Sequence, residues 1–444
     1  MAAVTLRYAA IFATALSLGV AAAQAQEAAA QNAEQWSLHG QATFVDQYHP
    51  AFRSPYRGTD SLDPGSRGDE TFDATLFAGL RLWEGGEIYA DPEIDQGFGL
   101  SDTIGLAGFS SGEAYKVGKA EPYFRLQRLF LRQSFDLGGE TQAVDADANQ
   151  LAGTRTADNL IVTAGKFSVV DVFDDNAYAH DPKQDFLNWA VIDAGVFDYA
   201  ADAWGYSYGL AVEWAMGWWT LRGGMFDLSR VPNSTQLETG FGQYETVAEL
   251  ELRPTLFGRQ GKVKLLGFLN RARMGGYSDA VRLAQADGGV PDTALVRRYA
   301  AKAGGSVNLE QPLSDALGVF LRAGINDGSK EAYEFSEING TVSAGLSFKG
   351  EAWGRAQDTV GIALAANRLS HAARAYFAAG GTGILIGDGR LAQYGTEKIV
   401  EAYYNAKLAY WLFASGDYQF VSNPAYNRGR GPVSILAIRL HTAF

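Results

Sequence analysis

From residue 35 onward, apolar and polar residues alternate at every second position in a series of short segments. One segment places Trp204, Tyr206, Tyr208, Leu210, Val212 and Trp214 on one face and Gly205, Ser207, Gly209 and Glu213 on the other. Successive side chains of a β-strand point to opposite faces, so this period of two predicts strands with one apolar and one polar face.

The pattern repeats along the whole chain, with turn-forming residues between the segments. We predict sixteen strands, near residues 36–46, 71–82, 86–95, 122–135, 159–167, 202–214, 218–226, 242–252, 261–271, 297–310, 317–325, 337–348, 358–368, 396–408, 411–421 and 433–444. Long connections alternate with short ones such as Glu84–Gly85, as in bacterial transmembrane barrels. A soluble β-sandwich also alternates, so the pattern alone leaves both architectures open.

One connection departs from this order. Residues 136–158 follow the fourth predicted strand, where a short turn is expected, yet the segment is long and rich in Asp, Ala, Gly and Gln. We interpret it as an insertion. Because no linker divides the chain, we predict one barrel over residues 35–444, preceded by a short polar lead-in at residues 26–34.

The first 25 residues have a different character. Arg7 precedes an uncharged, mostly apolar run from Tyr8 to Ala23, which ends in Ala23-Gln24-Ala25. This pattern predicts a secretory signal peptide at residues 1–25 and therefore an exported protein. No later apolar run approaches the roughly 18 residues of a membrane helix, and a closed barrel is the other way to span a bilayer. We therefore favour an all-β transmembrane antiparallel barrel.

Charge and composition narrow the functional classes. Residues 1–25 hold one base and no acid, so the remaining chain has 36 basic and 50 acidic residues, a formal charge of −14. A nucleic-acid partner is not expected at this charge. The absence of cysteine excludes disulfides and thiolate chemistry. Aromatic residues near segment ends, such as Trp83 and Trp218, suit the interfacial girdles of a barrel.

Enzyme motifs are weak. Gly205-Tyr206-Ser207-Tyr208-Gly209 matches the nucleophile-elbow spacing, but an elbow needs a strand, a sharp turn and a helix, whereas the alternation here continues unbroken. The five histidines, His39, His49, His180, His371 and His441, show no paired spacing for zinc. An outer-membrane lipid hydrolase remains the less favoured enzymatic alternative, and no cofactor is expected.

Three sets of residues carry a resemblance to a known family. They are Leu82-Trp83 with 86–89, 92–97 and 99–101; then 165–168, 171–176, 179–182 and 186–189; and finally 423–428 with 431–433 and Leu440-His441. The chain resembles the carbohydrate-selective porins of the OprB type from about residue 39 to Phe444. This resemblance implies a monomeric sixteen-stranded outer-membrane porin of a Gram-negative cell for passive diffusion of mono- or small oligosaccharides. A porin for cations or acidic oligosaccharides is the alternative.

The same resemblance implies the protein's partners. These are small sugars, the lipid and lipopolysaccharide of the outer membrane, and the barrel assembly machinery, which would recognise the last strand ending on Phe444.

A long segment after the fifth strand, residues 169–199, is the candidate constriction of the lumen. Loops of this length are usually functional or folded inward. Its candidate sugar contacts are Asp171, Asp174, Asp175, Asn176, His180, Asp185, Asn188 and Trp189, because polar groups bond hydroxyls and an indole packs on a pyranose face. A solvated outer loop that binds a divalent cation such as calcium is the alternative.

A basic set on the polar faces of strands could oppose these acids across the pore. It comprises Arg81, Arg125, Arg128, Arg132, Lys166 and Lys302, with Glu93 and Asp95 as acidic partners on the third strand. Opposed charges would make a transverse field and offer donors to sugar hydroxyls. Arg125 differs in phase from Arg128 and Arg132, so we expect at least one of the three at an interface unless the strand is bulged.

Overall fold

The computed structural model describes residues 33–115 and 117–444. The predicted signal peptide and most of the predicted lead-in lie outside the described residues. Within them, no helix is long and apolar enough to cross a membrane.

Sixteen antiparallel strands form a closed barrel, as predicted. They are β1 (Trp36–His49), β2 (Arg67–Trp83), β3 (Gly86–Gly97), β4 (Lys119–Val144), β5 (Gly153–Phe167), β6 (Ser207–Met216), β7 (Trp219–Asp227), β8 (Tyr244–Leu252), β11 (Lys262–Met274), β12 (Arg298–Pro312), β13 (Leu317–Asn326), β14 (Gly340–Gly350), β15 (Arg355–Arg368), β16 (Glu397–Ala409), β17 (Leu412–Ser422) and β18 (Val433–Ala443). β9 (Thr255–Leu256) and β10 (Arg259–Gln260) form a separate small hairpin. The barrel closes where β18 pairs with β1, with Gln41 opposite Ala443.

Among the described residues, the helices all lie in connections between strands. They are α1 (Trp189–Ile192), α2 (Tyr277–Asp287) and α3 (His371–Ala378), with short 3-10 turns at Leu100–Thr103, Val169–Asp171, Thr293–Val296, Glu351–Trp353 and Pro424–Tyr426.

Strand β3 illustrates the two faces of the wall. Glu93 and Asp95 point inward and are buried, whereas Ile94 between them is 43% exposed on the outer face. The same alternation puts leucine, isoleucine and valine on the outside of most other strands. An apolar outer belt and a polar interior are the arrangement that a bilayer requires of a barrel.

A bulge in β4 changes which arginines face the lumen. Asp91 pairs with Arg128 and Pro92 with Leu126, so Gln127 is an extra residue without a ladder partner. Proline has no N–H for the ladder, and the bulge accommodates this gap. The extra residue restores the phase, so Arg125, Arg128 and Arg132 all pair with inward-facing residues of β3. The expectation that one of them lies at an interface is therefore wrong.

The segment interpreted as an insertion is a long hairpin. β4 and β5 continue their pairing past Asp136, through Thr141 opposite Thr156, to Val144 opposite Gly153. This hairpin, residues 136–158, has its tip at residues 145–152. The sequence did not reveal these strand ends because they lie beyond the membrane, where neither face needs to be apolar.

Two outer loops fold into the barrel. They are the β3–β4 loop, residues 98–118, and the β5–β6 loop, residues 168–206. The β5–β6 loop buries Val169, Phe173, Phe186 and Phe197 completely or almost so, and they join inward residues of the wall in one core. The core of this protein therefore lies within its barrel.

Candidate functional site

The inward loops leave a cavity of about 590 Å³ beside strands β1–β6. Its wall side includes Gln41, Phe77, Glu93, Arg128 and Arg132. The inward loops face this wall with Gly112, Glu113, Tyr115, Ser168, Val170, Asp171, His180, Asp181, Lys183, Trp189, Asp193, Tyr199, Trp204 and Tyr206. A volume of this order is typical of small-molecule sites in proteins.

Asp174 anchors the β5–β6 loop on the opposite wall. Its carboxylate lies 3.3 Å from Nε of Arg322 on β13 and accepts a 2.6 Å hydrogen bond from the backbone N–H of Ala194. Both charged side chains are fully buried. Since an unpaired buried charge is costly, this pair and its hydrogen bonds fix the loop in place. Asp174 therefore does not line the cavity.

Asn176 and Asn188 are further anchors of this loop. The Nδ2 of Asn176 donates to Asn308 on β12 at 2.7 Å, and the Nδ2 of Asn188 donates to Gln419 on β17 at 3.0 Å. Glu401 on β16 accepts the backbone N–H of Asn188 at 3.2 Å. Asn176 and Asn188, which were predicted to contact sugar, instead bond the loop to the barrel wall.

Two other acids of the predicted set lie away from the cavity. Asp175 lies 3.3 Å from Nζ of Lys264, near the short-turn end of β11. Burial raises the pKa of Asp175, but Lys264, His180 and Lys262 outweigh it and hold the pKa well below its ordinary value. Burial raises the pKa of Asp185 to about 6, and Arg439 on β18 holds this part of the loop by donating to the main-chain oxygen of Asp185 at 2.9 Å.

Asp171 does line the cavity, where it pairs with Arg128. The guanidinium donates two hydrogen bonds to this carboxylate, at 2.8 and 2.6 Å, and lies 3.6 Å from Asp91. The ring of Tyr206 is centred 4.9 Å from the guanidinium carbon. Bidentate pairing fixes the plane of the guanidinium, and the aromatic ring orients it further.

Glu93 lies beside this pair at the wall. It accepts hydrogen bonds from Thr75 at 2.6 Å, Tyr115 at 2.9 Å and Gln127 at 3.0 Å. Gln127 also approaches Asp95 at 3.4 Å. The bulged residue thus holds both acids of β3.

Lys183 joins the loops to the wall. Its ammonium lies 2.9 Å from Asp73 on β2 and 2.6 Å from Glu113 of the β3–β4 loop. Burial lowers the pKa of Lys183, but Asp73, Glu113 and Glu93 outweigh it and raise the pKa well above the ordinary value. Lys183 and Glu113 were missed in the sequence, although Lys183 is the one lysine of residues 168–206.

His180 carries a positive charge at neutral pH. Its Nδ1 lies 3.3 Å from Asp193. Burial lowers the pKa of His180, but the contact with Asp193 and the charge of Asp175 outweigh it and raise the pKa to about 9.

Trp189 lines the cavity with a stacked ring. Its ring stacks on Phe109 with centroids 5.0 Å apart, and only 4% of the residue is exposed. Within the described part of the chain, its indole N–H has no hydrogen-bond acceptor. This nitrogen is itself buried, so Trp189 contributes its ring to the cavity wall and not a free donor.

The remaining basic candidates lie elsewhere. Arg125 pairs with Asp202 at 3.1 Å and stacks on Trp204 at 3.4 Å. Lys166 is in register with the outward-facing Tyr208 and reaches Asp202 at 3.5 Å. Of the predicted basic set, the cavity is lined by Arg128 and Arg132.

Two more of these cations serve the framework. Arg81 pairs with Glu87 at 3.1 Å near the short-turn end of the barrel. Lys302 forms a fully buried pair with Asp198 at 2.8 Å, which is a further anchor of the β5–β6 loop. Among the described residues, no group of three or more His, Cys, Asp and Glu is arranged to hold a metal ion.

Comparison with known proteins gives a consistent assignment. A family model of the carbohydrate-selective porins, OprB family, matches residues 59–444. The high-pH structure of Pseudomonas putida OprB is 16% identical, with a TM-score of 0.68, and the match covers 92% of this chain and 94% of that one. This similarity shows the fold. Its low-pH structure, 12% identical and covered to 93%, gives a TM-score of 0.49 over 92% of this chain. A triple mutant of the Rhodopseudomonas blastica porin, 12% identical and fully covered, gives 0.42 over 92% of this chain. No curated protein sequence matches.

Proposed function

This chain belongs to the carbohydrate-selective porin family OprB, and from that premise we propose the route by which a sugar crosses it. The protein is an outer-membrane porin for sugars. The route passes through the cavity between the wall of β1–β6 and the inward loops, and the side chains there act as a weak sugar site.

The chemistry of the cavity lining supports this route. Arg128, Asp171, Lys183 and Glu113 are already paired with one another across the loops and the wall. A paired side chain needs no solute to neutralise it, yet its remaining donor and acceptor positions can bond hydroxyls. Binding is then favourable enough for entry and weak enough for release, as diffusion through a selective pore requires.

Aromatic groups complete the site. Tyr206 and Trp189 line the same cavity. An aromatic ring offers a flat apolar surface, and a polar tip offers a hydrogen bond, which together match the two kinds of surface on a pyranose. The observation that carries the proposal is this combination of paired charges and aromatic rings in one cavity.

Planar-bilayer recording tests the route. The purified protein should give discrete ion-conducting steps, and millimolar glucose should reduce the current by occupying the cavity. Arg128→Gln should weaken this block roughly tenfold, since it removes the charged bonds at the centre of the site. Lys398→Gln on the outer wall is the matched control. A current that glucose leaves unchanged would contradict the sugar route, and block equal in both variants would contradict the site.

We propose that the protein catalyses no reaction and uses no cofactor. Ser207, the serine of the elbow-like spacing, is on strand β6, and its hydroxyl donates a hydrogen bond to the main-chain oxygen of Asp227 at 2.5 Å. Lipid hydrolysis that is lost on Ser207→Ala would overturn this.

We also propose that the barrel works as a monomer within lipid and lipopolysaccharide and is assembled through β18. That strand pairs with β17 and β1, and its outer face carries the exposed residues Leu436 and Ile438. The molecular mass of the protein in detergent, measured by light scattering, would distinguish one chain from three.

A further inference from the structure

We propose that the hairpin of residues 136–158 forms the inner mouth of the pore, and that its tip is part of the sugar path. The turns at this end of a barrel are usually short. Here the hairpin is long and its tip returns to the barrel. The sugar part of this inference rests on the proposed function, whereas the pore part concerns ion flow alone.

Hydrogen bonds hold the tip against the inner face of the wall. The main-chain oxygen of Asn149 accepts from Arg132 at 2.7 Å, and its Nδ2 donates to Asp91 at 2.8 Å. The backbone N–H of Leu151 donates to the hydroxyl of Tyr89 at 3.1 Å. Because Arg132, Asp91 and Tyr89 are inward-facing side chains, the tip lies beneath the lumen.

The tip borders the open space on both of its sides. Residues 147–150 line the 590 Å³ cavity together with Arg128 and Glu93. Residues 146–148 line a second cavity of about 990 Å³, whose other walls include His39, His441 and Phe444. A solute that leaves the first cavity for the periplasm therefore passes the tip.

Asn149 also positions the centre of the site. Its side chain bonds Asp91, Asp91 lies 3.6 Å from Arg128, and Arg128 holds Asp171 of the β5–β6 loop. The other carboxylate oxygen of Asp91 has no hydrogen-bond partner among the described residues. Asn149 is thus a positioning residue, which acts on Arg128 through Asp91.

Cysteine modification tests whether the tip borders the ion path. The chain contains no cysteine, so Ala148→Cys provides a single thiol at the tip. A positively charged methanethiosulfonate reagent, added during bilayer recording, should lower the open current stepwise, by about a quarter or more. Glu140→Cys, exposed on the shaft of the same hairpin, is the control and should leave the current unchanged. Complete modification of Ala148→Cys, verified by mass spectrometry, without a change in current would overturn the proposal.

Two further variants separate the inner mouth from the sugar site. Replacement of residues 138–157 by Asn-Gly should join the strands through a two-residue turn and raise the conductance at least twofold. Asn149→Ala should weaken glucose block several-fold with little change in conductance, and Gln142→Ala on the shaft should change neither. A folded Asn-Gly variant with unchanged conductance would overturn the inner mouth even if glucose still blocks. Glucose that blocks neither the wild type nor any variant would instead contradict the proposed function.

We propose that the outer wall of β11–β16 binds a phosphorylated glycolipid of the outer leaflet. An apolar groove of about 840 Å³ crosses these strands over small residues, Gly305, Ala323, Gly340 and Ala366, between Leu265, Val307, Ile325 and Val342. Arg368 forms one edge of the groove.

Cations surround the outer end of this groove. Arg271, Arg273, Arg368 and Lys398 are exposed there, and none has an ion-pair partner among the described residues. On the opposite sector, the exposed outer positions of β1 and β2 include the paired residues Asp46 and Glu70. Acyl chains fit the groove and phosphates complement the cations, so the charge asymmetry points to a lipid A type ligand.

Native mass spectrometry in detergent tests this site with purified lipid A. The double variant Arg368→Gln/Lys398→Gln should lose about tenfold or more in lipid A affinity, and Lys119→Gln/Lys349→Gln, of equal charge, should lose none. Lipid A without its phosphates should bind the wild type as weakly as lipid A binds the first variant. Equal binding by the two double variants would overturn the site.

Discussion

Removal of the guanidinium of Arg322 should loosen the β5–β6 loop and leave the barrel closed. Arg322 is fully buried on β13 and donates four hydrogen bonds to the loop. They reach the carboxylate and main-chain oxygen of Asp174 at 3.3 and 2.9 Å, and the main-chain oxygens of Ala179 and Val191 at 2.8 and 2.9 Å. In Arg322→Ala, Asp174 stays buried without its cation.

The size of the effect follows from that buried charge. Removal of one partner of a buried pair costs about 3–5 kcal/mol, and each 1.4 kcal/mol is a factor of ten. Docking of the loop should therefore weaken by roughly two to three and a half powers of ten. The loop remains docked for most of the time because Asp198 still pairs with Lys302 and accepts the backbone N–H of Tyr333 at 2.7 Å.

Single-channel recording and proteolysis measure this change. Arg322→Ala should show brief excursions to a higher conductance, and trypsin should cleave after Lys183, which in the docked loop is held by two carboxylates. Arg355→Gln is the control, since Arg355 pairs with Asp358 at the far end of β15 and does not touch the loop. The reasoning is refuted if folded Arg322→Ala, judged by its heat-modifiable mobility in gels, matches the control in both measurements.

Three further outcomes are expected. Trp189→Ala removes the ring that lines the cavity and stacks on Phe109, so glucose block should weaken roughly two- to tenfold, while the lipid-facing Trp214→Ala leaves it unchanged in the same bilayer titration. The pKa of His180 is raised to about 9, so the protonated imidazole stabilises the loop fully below about pH 6.5, and this stabilisation is lost as the pH rises through about 9. Open-channel noise should therefore increase from pH 7 to 10 in the wild type but not in His180→Gln. Deletion of Gln127 removes the bulge and turns an arginine of β4 towards lipid, which destabilises the folded barrel by about 2–4 kcal/mol near the midplane. The yield of folded protein should therefore fall sharply, whereas Gln127→Ala should fold normally.

The barrel could be predicted from the sequence because every strand lies between lipid on one face and the lumen on the other. A lipid-facing residue must be apolar and the next residue must face the lumen, so the period of two is visible wherever the chain spans the membrane. The prediction failed where alternation continued without a strand. Trp204 and Tyr206 extend the pattern of β6, yet they belong to the inward loop, where Asp202 accepts the backbone N–H of each at 3.0 and 3.3 Å.

The site could be predicted only in part, because a polar loop inside a barrel needs two kinds of polar residue. Some must satisfy the buried loop against the wall, and others remain for the solute. Asp171 and Asp174 are three residues apart and chemically identical, and their roles are decided by Arg128 and Arg322, which lie on strands far away in the sequence. Arg128 was predicted from the sequence as an inward charge and Arg322 was not singled out, because periodicity gives the face of a residue and not its partner across the lumen. Which polar residues anchor the β5–β6 loop, and which remain free to contact sugar, therefore depends on where the folded loop lies against each strand. That position is set by all of the anchoring contacts together, so it cannot be derived from the loop sequence alone.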